Sequence, residues 1–102
     1  GEFIRNPSAP AVGLERVDGN PTGYIRVAIN ERTGAGYIFA IDLESGEEFI
    51  VQGTTPEGKV IELARFTVGN TPIVARIFSV DVAIAGSLTY RAVDTTGKVV
   101  WS

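Results

Sequence analysis

The sequence predicts an all-β fold, an antiparallel β-sandwich of about seven strands, and three observations lead to this prediction. Apolar residues recur at every second position in most segments, which is the periodicity of a strand with one buried face. Clusters of Gly, Pro, Asn and Asp interrupt these segments about every ten residues, as expected of short strands in a sandwich. No segment shows a helical period without a competing strand pattern. Two sheets packed face to face are therefore expected, with a small β-barrel as the alternative.

The chain is long enough for one domain, because 102 residues can bury a core but cannot build two. Residues 1–3 are typical of a cloning remnant, and the prolines at positions 7 and 10 favour an extended linker. We therefore expect residues 1–11 to be remnant and flexible linker, and residues 12–102 to form a single sandwich domain.

The first half of the chain contains a short strand and a hairpin. Residues 12–17 predict a short edge strand that ends at the turn cluster of residues 18–21. Gly23–Ile29 alternates strictly, and residues 37–43 alternate again after a polar loop with two glycines. These two strands are predicted to pair as a hairpin.

The middle of the chain is less regular. Glu48–Gln52 predicts a short strand between two turns. Lys59–Val68 fits either a short helix or a strand with a bulge near Ala64. The regular recurrence of turn signals decides this segment in favour of a strand.

The last third of the chain predicts three consecutive antiparallel strands. Ile73–Ala85 alternates almost without interruption, and residues 85–87 supply a turn. Leu88–Val93 and Val99–Trp101 then flank the turn at residues 94–97. Five aromatic residues are predicted to lie in the core or at its edge: Phe39, Phe66, Phe78, Tyr90 and Trp101.

The run Leu88–Lys98, LTYRAVDTTGK, resembles the hairpin between the last two strands of immunoglobulin-like and fibronectin type III-like domains. In those domains a tyrosine-bearing strand leads into a short turn before the final strand. The resemblance implies an immunoglobulin-like β-sandwich. The chain has no cysteine pair, which argues against a classical antibody-type domain and leaves a divergent prokaryotic immunoglobulin-like module open.

Composition excludes several classes of function. The chain has no cysteine and no histidine, so thiolate metal sites, cysteine nucleophiles and the commonest general base are absent. A net charge of -3 and a pI near 4.8 argue against a nucleic-acid partner. No run of 18 apolar residues exists, so we expect no membrane insertion by this segment.

The densest acidic group surrounds the turn at residues 45–46. Hard cations such as Ca²⁺ prefer several carboxylate oxygens from one loop, so this group is a candidate metal site. The spacing does not match a calcium-binding EF-hand loop, and alternating side chains point in different directions. A solvated hairpin tip is the prediction, and no metal is expected at the four residues Asp42, Glu44, Glu47 and Glu48.

No catalytic residue and no cofactor site are predicted. Asp81 could pair with Glu62 or Asp94 as in a glycosidase, but a β-domain with 12 acidic residues offers many such pairs. Asp81 is expected to face solvent on the side of Ser79. No nucleophile motif of the GxSxG or SxxK type is present.

The remaining hypothesis is a non-enzymatic, extracytoplasmic or cell-surface module that binds protein as a subunit or spacer of a larger assembly or appendage. It would bind a protein partner, or itself, through edge strands or a sheet face. The candidate contact residues are Tyr24, Arg26, Glu31 and Arg32.

Two alternatives remain open. A carbohydrate-binding module would present a flat row of exposed aromatic residues on one face. A secreted enzyme inhibitor would act through an exposed loop, either Glu31–Gly36 or Gly69–Pro72.

Overall fold

The computed structural model describes residues 11–17 and 23–102, and these residues form eight antiparallel strands. The predicted linker and the turn at residues 18–21 lie outside the described residues, except that Ala11 begins the first strand. The strands are β1 (Ala11–Leu14), β2 (Tyr24–Ile29), β3 (Ala35–Ile41), β4 (Glu48–Thr54), β5 (Val60–Thr67), β6 (Ile73–Ser79), β7 (Thr89–Val93) and β8 (Val99–Trp101).

The strands make two separate sheets, which confirms the all-β sandwich. A barrel, the alternative, would have required one closed sheet. Sheet A has the order β1-β2-β3-β6 and sheet B has the order β5-β4-β7-β8. One hydrophobic cluster joins the inner faces of both sheets, with Ile25 and Ile38 from sheet A and Phe49 and Val51 from sheet B. Burial of these side chains from both sheets is the main source of stability.

Two local predictions are confirmed. β2 and β3 pair along their whole length as the expected hairpin. The ambiguous segment is a strand, β5, and its register against β4 shifts where Val51 pairs with Ala64 and Gln52 pairs with Glu62. Leu63 is the extra residue, so the bulge lies next to the predicted position.

The predicted strand Ile73–Ala85 is too long, because β6 ends at Ser79. Asp81 starts a series of turns: its Oδ1 accepts a hydrogen bond from Ala83 N at 2.9 Å, and its carbonyl accepts one from Ile84 N at 3.1 Å. Local bonds from an Asp side chain compete with a sheet ladder. Asp81 is exposed as expected, but it lies in a loop and not on a strand.

The three last strands are not consecutive neighbours in one sheet. β6 pairs with β3 in sheet A, whereas β7 pairs with β4 and β8 in sheet B. The loop of residues 80–88 carries the chain across the sandwich. Only the hairpin of β7 and β8 is confirmed from that prediction.

The predicted core is correct for four of its five aromatic residues. Phe66 and Trp101 are buried, while Phe78 and Tyr90 are partly buried against the core. Phe39 instead points outward and is half-buried, since the inner side of β3 carries Gly36, Ile38 and Ala40. β3 is apolar on both sides, so alternation by itself does not say which side faces the core.

One lateral side of the sandwich is closed by the chain itself. After β1, residues 15–17 cross from sheet A to sheet B and pair with β8. Glu15 and Ser102 exchange two backbone hydrogen bonds at 2.9 Å, and Val17 N donates to Val100 O at 2.8 Å. On the opposite side, β5 and β6 are the free edges of their sheets.

Candidate functional site

The outer surface of sheet A is formed by residues that lie directly opposite one another across three strands. Arg26 pairs with Phe39, which pairs with Ala75, and the neighbouring rows repeat this alignment. Residues opposite each other in an antiparallel pair lie on the same face. We call this surface the A face and define it by Tyr24, Arg26, Tyr37, Phe39, Ile41, Ile73, Ala75 and Ile77.

The A face exposes large apolar side chains to solvent. Ile77 is 88% exposed, Ile73 is 49% exposed and Tyr24 is 39% exposed. Phe39 and Ile41 lie between them and are half-buried. Contiguous exposed apolar surface of this kind marks interaction sites on soluble domains.

The outer surface of sheet B has the opposite character. Arg65 Nη2 bonds Glu62 Oε1 at 3.0 Å, and Arg91 Nε donates to Gln52 Oε1 at 2.9 Å. We call this surface the B face and define it by Glu48, Ile50, Gln52, Thr54, Val60, Glu62, Arg65, Thr67, Thr89, Arg91 and Val93. Ile50 and Val93 are buried, and Val60, at 45%, is its one exposed large hydrophobic residue, so exposed apolar surface is concentrated on the A face.

Arg26 is the charged residue of the A face. Its guanidinium carbon lies 5.8 Å from the centroid of the Tyr24 ring, within the range of a cation–π contact. This contact holds the charge close to the apolar side chains instead of letting it extend freely into water. The A face therefore combines apolar area with one positioned cation.

The free edge of β6 is partly blocked by the protein's own side chains. Val80 N donates to Gly34 O at 2.9 Å, so the even-numbered residues of β6 direct their backbone groups toward β3. The odd-numbered residues point outward, and two of their carbonyls are occupied. Arg76 Nη1 donates to Ala75 O at 2.9 Å, and Thr71 Oγ1 donates to Ile73 O at 3.4 Å.

The three other edges also discourage strand addition. β1, the second edge of sheet A, has only four residues, and short edge strands offer little for pairing. β5 carries the bulge at Leu63, and bulges twist an edge away from flat pairing. β8 is covered by residues 15–17. Of the two contact modes expected from the sequence, the structure thus provides a better surface for face docking than for edge pairing.

The predicted contact residues separate into two places. Tyr24 and Arg26 lie on the A face. Glu31 and Arg32 lie in the loop between β2 and β3, where the Glu31 carboxylate is next to Gly86. Burial, together with the charge of Glu31, raises the pKa of Tyr90, which is on the inner side of sheet B. Glu31 is therefore part of the end of the sandwich rather than of the A face.

The acidic residues proposed as a metal site do not converge. Glu47 Oε2 binds Arg16 Nη2 at 3.3 Å, and Glu48 lies near Arg65 and accepts from Thr67 at 3.4 Å. Within residues 11–17 and 23–102, no three acidic side chains lie close enough to hold a metal ion. The tip of this hairpin is held by ion pairs and hydrogen bonds.

A groove of about 690 Å³ lies at that end of the sandwich, between the loop before β4 and the turn before β8. Three carboxylates line it, and each is engaged: Glu47 and Glu48 as described, and Asp94 within its own turn. Three hydrogen bonds, from Thr96 Oγ1 at 2.6 Å and from the Thr96 and Lys98 amides, lower the pKa of Asp94.

The two loops considered for an inhibitor differ in shape. Residues 30–34 form a compact turn in which Asn30 O accepts from Gly34 N at 2.8 Å and Asn30 Oδ1 accepts from Arg32 N at 2.9 Å. Residues 69–72 are exposed, and Pro72 O is tied to Asp42 N at 2.8 Å. Neither has the length of an extended reactive loop.

Six members of the A face were not predicted as contact residues from the sequence: Tyr37, Phe39, Ile41, Ile73, Ala75 and Ile77. One signal could have found the first three. Residues 37–41 are apolar at both parities, although an antiparallel strand with a wet face should alternate. Such a run in an antiparallel sandwich indicates a second apolar surface.

Comparisons with known proteins found no match that would assign a function to the A face. No protein-family model matches the chain, and no curated protein or solved structure shows significant similarity to it. Among the described residues, no helix is long and apolar enough to cross a membrane.

Proposed function

We propose that this protein is a non-enzymatic protein-interaction module that docks a partner through the A face. One observation carries the proposal: sheet A exposes Tyr24, Ile73 and Ile77 on its outer side, while sheet B exposes paired charges. Exposed aliphatic and aromatic side chains lose unfavourable hydration when a partner covers them. A purely structural sandwich would have no reason to differ so strongly between its two outer faces.

The proposed setting is extracytoplasmic, as a subunit or spacer of a cell-surface assembly or appendage, and it rests on the sequence. The finer fold assignment is an immunoglobulin-like sandwich. The order β5-β4-β7-β8 has the arrangement of the C′-C-F-G strands of such domains. Sheet A differs, because β3 lies between β2 and β6 where those domains pair their second and fifth strands directly.

Photo-cross-linking from the A face tests the docking function. A benzophenone side chain at position 77 or at position 89 of the B face would be irradiated in an envelope extract of the source organism. We expect a discrete adduct from position 77 and none from position 89. Unlabelled protein should compete for this adduct, whereas the Ile77→Lys variant should not.

The matched control is Val60→Lys, because Val60 is also an exposed strand residue, at 45%, but lies on the B face. It should compete as well as the unsubstituted protein. Equal loss of competition in Ile77→Lys and Val60→Lys, or adducts of equal yield from both positions, would contradict docking through the A face.

A carbohydrate-binding function is the second candidate, and the placement of three aromatic side chains favours it. Tyr24, Phe39 and Tyr37 lie along the A face in successive rows of the β2–β3 hairpin. Sugar rings stack on such rows, but they also need several hydrogen-bonding groups. Arg26 and the hydroxyls of Tyr24 and Tyr37 are the only hydrogen-bonding side-chain groups in the A face as defined, and a protein partner is preferred because most of this face is apolar.

Titration with soluble oligosaccharides, monitored by the backbone amide signals in NMR spectra, separates these two functions. A protein-binding module should show no saturable shifts at Tyr24 and Phe39. Saturable shifts at both residues, abolished by Tyr24→Ala and retained in the Tyr90→Phe variant, would replace the protein-binding proposal.

A further inference from the structure

We infer that the partner of the A face is a different protein, whose contact surface is apolar and places a carboxylate opposite Arg26, and not a second copy of this chain. The inference rests on the proposed docking function and adds the chemistry of the occupant. It is carried by the charge of the A face.

Arg26 is the one charged side chain in the A face as defined, and it makes no ion pair within the described part of the chain. Its guanidinium carbon lies 5.8 Å from the Tyr24 ring centroid, on the same face as Ile73 and Ile77 of β6. A partner that covers these residues also covers the guanidinium. An apolar partner atom at that place would remove water from a charge without replacing its hydrogen bonds.

A carboxylate on the partner would replace the hydrogen bonds that the Arg26 guanidinium loses when water is removed. An arginine and a carboxylate form two parallel hydrogen bonds, which are stronger than bonds between neutral groups. The contact also selects among apolar partners, because a partner with a neutral or basic group opposite Arg26 leaves the guanidinium unpaired. The protein as a whole has a net charge of -3, so Arg26 is a local positive charge on an acidic molecule.

A second copy does not satisfy this requirement. The outward residues of β2, β3 and β6 include no Asp or Glu, so two A faces in contact cannot pair Arg26 with an acid of the same face.

Two synthetic peptides test the inference on the full chain. Phe-Ser-Glu-Ser-Phe, with blocked ends, puts both Phe rings and the Glu on one side when extended. Its twin has Gln in place of Glu. In amide NMR titrations at low salt, we expect both to shift signals of β2, β3 and β6, with the Glu peptide binding about two- to fivefold more tightly.

Matched variants assign that difference to one residue. Arg26→Gln should remove the preference for the Glu peptide, and Arg65→Gln should retain it, because Arg65 is an exposed arginine of the B face. Salt at about 1 M should also remove the preference. The same preference in Arg26→Gln and in the unsubstituted protein would overturn the role of Arg26.

The remaining experimental results show whether the carboxylate, the docking face or both are wrong. Equal binding of the two peptides at the A face would overturn the carboxylate and leave the docking face intact. Sedimentation velocity should show a monomer, and association that Ile77→Lys abolishes would make a second copy the occupant. Absence of peptide-induced shifts in β2, β3 and β6, together with no cross-link from position 77, would overturn both.

Discussion

At the scale of single residues, Gly34 is a position where backbone geometry and space both require glycine. Its φ is +77°, and a Cβ atom there would collide with the carbonyl oxygen of Val80. That oxygen belongs to the chain as it leaves β6, so it cannot move without disturbing the sheet edge. Gly34 thereby fixes the close approach between the β2–β3 loop and the end of β6.

A series of alanine substitutions separates these two requirements. Gly34→Ala should lower the free energy of unfolding by about 2–4 kcal/mol, since it adds strain at positive φ to a backbone collision. Gly46→Ala should lower it by about 1 kcal/mol, because φ is +92° but the space is open. Gly69→Ala, with neither feature, should be nearly neutral. Urea denaturation at one pH measures all three, and equal losses would contradict this assignment.

The lowered pKa of Asp94 predicts how the stability of the protein depends on pH. Its carboxylate accepts hydrogen bonds from Thr96 and Lys98, and the Thr96 hydroxyl is the main reason that its pKa falls below the ordinary value of 3.8. A lowered folded-state pKa means that the stabilisation is complete above the unfolded-state pKa and is lost as the pH falls through the folded-state value.

Asp94→Asn keeps the acceptor oxygen but not the charge, so it should unfold at a lower temperature than the unsubstituted protein above about pH 5. The difference in unfolding temperature should shrink as the pH falls below about 4. Thermal unfolding followed by circular dichroism between pH 2 and pH 7 measures it. A difference that stays constant over the whole range would show that the charge of Asp94 contributes nothing.

At the scale of the elements, β6 is a free edge that the protein protects with an inward-facing charge. Arg76 lies on the inner side of β6, with its guanidinium carbon 5.9 Å from the Phe66 ring centroid, and it also bonds the outward carbonyl of Ala75. Charges that point inward and occupied backbone groups both discourage pairing with another strand.

Arg76→Val should therefore increase self-association through β6, since it frees the Ala75 carbonyl and adds a β-branched residue to an exposed edge. Sedimentation velocity should show concentration-dependent oligomers for this variant. The control Arg65→Val, on the other free edge, should remain closer to monomeric because the bulge at Leu63 still distorts β5. A monomeric Arg76→Val variant would remove this protective role.

At the scale of the whole molecule, Trp101 joins the last strand to the residues that follow β1. It is 1% exposed, lies in the last strand, and carries the guanidinium of Arg16 at 5.5 Å from its ring centroid. Its Nε1 is buried and has no hydrogen-bond partner within the described residues. Packing, rather than polar contacts of the indole, is what Trp101 contributes.

Trp101→Ala should lower the free energy of unfolding by about 3–5 kcal/mol through the cavity that it leaves. The free energy of unfolding of a small domain is only about 5–15 kcal/mol, so this variant should be marginally folded. Trp101→Phe should lose much less, because it keeps a ring and removes a buried N–H without a partner. Equal losses in the two variants, measured by urea denaturation, would show that the indole N–H contributes to stability.

Much of the fold follows from local sequence patterns, which predict the strands, the turns and the hairpins. Period-two alternation placed β2, the hairpin with β3, and the hairpin of β7 and β8, because a strand with one buried face needs that pattern. Turn residues placed the boundaries of the strands within a few positions, except for the end of β6. The sandwich class followed from the number of short strands and from the absence of helical periodicity.

The tertiary structure alone decided three features. Partner choice for β6 depends on where the loop of residues 80–88 crosses, and the local bonds of Asp81 override the alternation there. The outward side of β3 depends on which side meets sheet B, since both of its sides are apolar. The A face depends on both of these features. β6 is far from β2 and β3 in sequence, and the three strands form one surface only through their register.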